Sequence, residues 1–263
     1  MSELLLNFYN FIDYFKNCFG AYFVNPSFLG IGLAIIFGAI WLACFWPSLF
    51  KKPWHWAIMV GSALITPIII CLIQNPIRKL VGETMLKLYG SEALNSWLPF
   101  SAIPNMLIIG FAQEGAKLIP VIIYWWLKSK KIDYRLGLTL GAVAGAGFGI
   151  IEAQWIHNTV ISMGWSWDLT QTKGLEALTP FTERFFMIAF STAASALAGY
   201  GLAIGKGWQF YLIVSILDAV INSGTVLMQS KIFSFAQVEV FIAVCAILVT
   251  GTVLWLRWRK QTG

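Results

Sequence analysis

Apolar positions dominate this chain in long unbroken runs rather than at the two-residue spacing of half-buried strands. Seven runs have the length of a membrane-crossing helix: residues 28–47, 56–75, 103–127, 135–157, 182–204, 208–228 and 234–256. About 18 apolar residues are enough to mark a span, and no series of short alternating segments points to a β-barrel. The pattern predicts an all-α, polytopic membrane helix bundle of about seven transmembrane helices, with residues 28–257 as a single domain and 103–228 as its core. Residues 1–27 read as an interfacial amphipathic segment, because aromatic residues recur through 8–23. Loop 76–102 holds RKLVGETMLKLYG, which reads as a second interfacial helix, and residues 258–263 form a basic tail.

Composition agrees with this pattern. Of 263 residues, 58% are hydrophobic and 11% charged, and the mean hydropathy is +0.73; soluble domains carry about 25% charged residues. The net charge of +6 does not point to nucleic acid, since the excess basic charge falls in short loops. Lys51, Lys52, Lys128, Lys130, Lys131, Arg135, Lys206, Arg257, Arg259 and Lys260 all fall at one side of the alternating spans and make ten of the 18 basic residues. Placing that side in the cytoplasm gives an outside N-terminus and a cytoplasmic C-terminus. Loop 158–181, with Trp165 and Trp167, then suits the outer interface. The start lacks a basic leader pattern, so no cleaved signal peptide is expected. Cys18, Cys44, Cys71 and Cys245 form no CxxC, and three of them lie in apolar runs, so neither a disulfide framework nor a zinc site is expected.

The stretch GFAQEGAKLIPV, residues 110–121, breaks the apolar rule in mid-span with Gln113, Glu114 and Lys117. Ionisable residues at that depth are rare and face a bundle interior or a water-filled cavity. Span four adds Glu152, span six adds Asp218, and Asn222 follows one turn later. Glu183 and Arg184 stand at the outer mouth of span five, and His157 ends span four at an interface that suits a polar ring. At about 1.5 Å per residue, Glu114 and Asp218 lie near mid-span and Glu152 about 9 Å further out. The three acids are therefore expected to line one cavity open to the outer side, with Lys117 on the same face as Glu114. Gly141, Gly145 and Gly149, four residues apart, predict close approach of a neighbouring backbone.

QEGAK (113–117), FGIIE (148–152) and the Asp218–Asn222 pair resemble the PrsW-like intramembrane proteases, which group with the CAAX-processing and bacteriocin-processing (CPBP) endopeptidases and the YhfC proteins. That pattern is E-E-x-x-K/R, then F-x-x-x-E/H, then H-x-x-x-D/N on separate helices, and the resemblance covers residues 105–228. Glu114 and Lys117 match the first motif, with Gln113 in place of its first Glu. Phe148 and Glu152 match the second in full. Asp218 replaces the His of the third, and Asn222 matches its end. The family's further interior histidine has no counterpart around Ser191–Ser195. The Aph scaffold subunit of γ-secretase, a non-catalytic relative, is similar in its seven spans, outside N-terminus and Gln-Glu at the first motif.

The resemblance implies a membrane-embedded endopeptidase in a bacterial or archaeal plasma membrane. Its substrate would be a membrane protein or peptide. Glu114, Glu152, Asp218 and Asn222 would be its catalytic groups and Gln113, Lys117, Phe148, Glu183 and Arg184 their support. One carboxyl would carry a proton while another acts as base. No cofactor is expected: a divalent metal on oxygen ligands is the disfavoured variant, because zinc prefers the nitrogen and sulfur that these motifs lack. The alternative is a scaffold or binding subunit with a membrane-protein partner. A proton-coupled transporter ranks below both, since no inverted repeat is visible.

Overall fold

The computed structural model describes residues 3–259, with side chains from residue 10 onward. The far end of the basic tail, including Lys260, lies outside the described residues. The helices run in chain order as α1 (Glu3–Gly20), α2 (Phe28–Ala43), α3 (Pro53–Ile69), α4 (Asn75–Ser96), α5 (Leu98–Ser101), α6 (Ile103–Leu127), α7 (Tyr134–Ser162), α8 (Asp168–Lys173), α9 (Thr179–Ala203), α10 (Gly207–Asn222), α11 (Gly224–Gln229) and α12 (Phe235–Trp258). Among the described residues there is no strand.

Among the described residues, six helical stretches are long and apolar enough to cross a membrane. A seventh is obtained if Asn10–Phe23 and Phe28–Ala43, bent by 79° to one another, count as one span. This is the build of an integral membrane protein. The boundaries follow from local chemistry. Ser27 accepts from Gly30 N to start α2, Asp133 accepts from Leu136 N to start α7, and Ser234 with Gln237 forms a capping box on α12. Large apolar side chains such as Ile123, Trp126, Val244 and Leu248 remain exposed, as a lipid-facing surface requires.

Helix α7 is the axis of the bundle. It packs along α9, with α2 and α3 on its other sides; α6 pairs with α10, and α12 lies against α9. Its small residues allow this. A Cβ on Gly141 or Gly145 would collide with the backbone carbonyl of Ser195 or Ser191 on α9, and one on Gly147 with the carbonyl of Met59 on α3. Ser191 Oγ uses the close approach to donate to Gly145 O, at 3.1 Å. The expected glycine stripe is therefore a packing surface. On the α6–α10 side, Gly110 plays the same part against Ser215 O.

Three expectations need correction. The helix foreseen in loop 76–102 is not separate: α3 runs through a π-helical segment, Ile70–Gln74, directly into α4. Polar side chains end an apolar run without ending the hydrogen-bond ladder. Cys18 and Cys71 form a disulfide, joining α1 to the π-helical segment that follows α3; Cys44 and Cys245 are free among the described residues. Finally, His157 is fully buried rather than interfacial, because α2 covers it: its Nδ1 lies 3.1 Å from Gly30 O and its ring packs edge-on to Phe37.

Candidate functional site

Helices α6 and α10 bring the polar mid-span residues together. Lys117 Nζ donates to Glu114 Oε1 at 2.6 Å and lies 4.0 Å from Asp218 Oδ1. Asn222 Nδ2 donates to Asp218 Oδ2 at 3.1 Å and to the Asp218 carbonyl at 2.8 Å. From α7, the Phe148 ring covers the ammonium at 4.4 Å from its centroid, a cation–π contact in a desolvated place. The side chains of Glu114, Lys117 and Asp218 are 0%, 1% and 2% exposed. Glu114 Oε2 has no hydrogen-bond partner among the described residues.

Glu152 stands apart. It pairs with Arg184 Nη1 on α9 at 3.3 Å, and the same guanidinium bonds Glu183. Glu152 is 17% exposed. The single cavity lined by three acids, expected from depth alone, is thus divided into a sealed Glu114–Lys117–Asp218 cluster and a half-open Glu152–Arg184–Glu183 cluster beyond it. Gln113 is buried on α6 beside Glu114. Among the described residues no three His, Cys, Asp or Glu side chains come together as metal ligands.

Two apolar grooves flank the sealed cluster. One, of about 500 Å³, runs between α6, α9 and α10 past Gly115, Leu118, Ala198, Leu202 and Trp208. The other, of about 460 Å³, lies against the π-helical segment and α6 beside Ile73, Phe111 and Ile119. Tyr211 lines both, and so does Gly115; the Tyr211 hydroxyl donates to Phe111 O at 2.8 Å. No family model, curated protein or solved structure matches the chain. The site is therefore interpreted on its own geometry.

Sequence reasoning missed Tyr211. The signal was present: positions 211, 215, 218 and 222 repeat at helical spacing and place a tyrosine, a serine, an aspartate and an asparagine on one face of α10.

Proposed function

We propose that the chain is an intramembrane endopeptidase of the PrsW/CPBP-like kind, with Glu114 and Asp218 as its reacting carboxyls. The observation that carries the reading is the unpartnered Oε2 of Glu114, a carboxylate oxygen buried at mid-span whose twin is held by Lys117. Such an atom is a ready acceptor for the proton of an attacking water. Water would add to the scissile carbonyl as Glu114 takes its proton. Asp218, protonated at the outset and oriented by Asn222, would then deliver that proton to the leaving amine as the C–N bond breaks, and the proton taken up by Glu114 would restore Asp218 for the next turnover. Lys117 and Phe148 hold Glu114 in place. Glu152 with Arg184 borders the side by which water approaches. An extended segment of a membrane-spanning peptide would reach the carboxyls from an apolar groove past Tyr211. The reading calls on no cofactor.

The proposed orientation puts the N-terminus outside and the C-terminus in the cytoplasm. Two independent features support it. The basic loops meet at one end of the bundle, where Lys52, Arg135 and Arg257 line one cavity. Cys71 lies 18 residues beyond Pro53, about 27 Å toward the opposite end at 1.5 Å per residue. The Cys18–Cys71 disulfide thus sits at the end away from the basic loops, and disulfides persist in oxidising compartments.

One observation favours a second reading. Glu114, Lys117 and Asp218 are sealed, as an ion network that fixes helix register in a non-catalytic scaffold would be. The test is proteolysis of single-span peptides by the purified chain in proteoliposomes, with cleavage sites read by mass spectrometry in oxygen-18 water. One labelled oxygen in each new carboxyl terminus is expected. Intact peptides throughout would leave the scaffold reading.

A further inference from the structure

At the basic end, α3 and α7 begin and α12 ends around a polar cavity of about 250 Å³, lined by Lys52, His55, Asp133, Arg135, Thr139 and Arg257 among others. Its charges are unbalanced. Neither Lys52, Arg135 nor Arg257 forms an ion pair among the described residues. The one lining acid, Asp133, already uses Oδ1 to cap α7 through Leu136 N at 2.9 Å. Arg135 and Arg257 line the same cavity, so their like charges oppose one another.

Donors there lack acceptors. His55 is 1% exposed, and neither ring nitrogen has a hydrogen-bond partner among the described residues. Arg257 Nε is likewise buried and unpartnered, although Nη1 is fixed by Thr139 Oγ1 at 2.8 Å. Buried polar groups left in this state are rare, because each forfeits the hydrogen bonds it had in water. The N-terminus of α3, which has no side-chain cap, opens on the same side, and its backbone dipole favours an anion. Two arginines, a lysine and an imidazole N–H form a donor set suited to an acceptor-only group of charge near −2.

We propose that this cavity binds a phosphate monoester group, presented by an anionic phospholipid headgroup or by a small soluble phosphate ester. The cavity size suits one phosphate with part of its ester, and the exposed Trp46 at its edge places the site at the depth of headgroups. This inference is independent of the peptidase reading.

The test is thermal unfolding of the full-length protein, followed by tryptophan fluorescence in phosphatidylcholine vesicles under two additions. One is phosphatidic acid in the bilayer; the other is glycerol 3-phosphate in solution. A rise in midpoint with phosphatidic acid alone assigns a lipid ligand, and a rise with glycerol 3-phosphate assigns a soluble one. In either case Arg257→Gln and Arg135→Gln should each weaken binding about tenfold, while Arg259→Gln, outside the cavity, should leave it unchanged. Arg135 is exposed, so its variant carries the test even if Arg257→Gln fails to fold. No rise with either addition, or equal weakening in all three variants, overturns the proposal.

Discussion

Lys117 on α6 stands 4.0 Å from Asp218 on α10 while bonding Glu114 on its own helix, so one ammonium answers to two carboxyls. Charges taken out of water are costly unless paired, and removing one partner of a buried pair typically costs about 3–5 kcal/mol. Glu114→Gln is predicted to fall near the lower end of that range, because Asp218 still faces Lys117. Glu114→Gln/Lys117→Met/Asp218→Asn, which removes all three charges together, should recover most of the loss. Denaturant unfolding in detergent micelles measures both. An unchanged midpoint in the single variant would mean that the ion pair contributes nothing.

Gly145 sits against the Ser191 carbonyl. Gly145→Leu must push α9 off α7 and break the Ser191–Gly145 hydrogen bond, so we predict a loss above about 3 kcal/mol, beyond ordinary overpacking. Leu138→Ile, at a fully buried position in the same helix, should cost under about 1.5 kcal/mol. Equal melting temperatures would contradict the packing.

The proposed orientation predicts that a cysteine placed at Trp167 reacts with a membrane-impermeant maleimide applied from outside. One placed at Lys130 should not. Cys18 and Cys71 should resist alkylation until an impermeant reductant is added outside. Labelling at position 130 alone would reverse the orientation.

Tyr211 lines both apolar grooves and is held by its bond to Phe111 O. Tyr211→Phe removes one hydrogen bond, worth about 1 kcal/mol, and keeps the ring. If the grooves admit substrate, this variant should change which peptides are cleaved while leaving the fold intact. Tyr211→Ala should broaden that range further. Identical cleavage maps for all three proteins would place substrate elsewhere.

The helical fold was readable in the apolar runs, whose lengths fix where a chain can satisfy its backbone within lipid. Glu114, Lys117 and Asp218 stood out because mid-span charge demands a partner, and the i, i+3 spacing of Glu114 and Lys117 supplied one. Glu152 was misplaced for a physical reason. Depth along a helix says nothing of azimuth, and Arg184 on α9 reaches it from the side. The disulfide was hidden for a similar reason: spacing does not tell which cysteines meet, and Cys71 lies in an apolar run. His157 was read as interfacial because α2, which buries it, comes from more than 120 residues away. The cationic cavity escaped notice because its basic residues come from three distant places in the chain: the loop before α3, the first turn of α7 and the last turn of α12.

The peptidase account is tested most directly by Asp218→Asn, which keeps the shape and the Asn222 contact but cannot deliver a proton. Cleavage of single-span peptides in proteoliposomes should fall by at least about 10²-fold relative to the parent protein, the usual scale of general acid–base catalysis. The unfolding midpoint should fall less than in Glu114→Gln, because Lys117 keeps its hydrogen bond to Glu114, and EDTA should leave parental turnover unchanged. Undiminished cleavage by a folded Asp218→Asn protein would contradict the account.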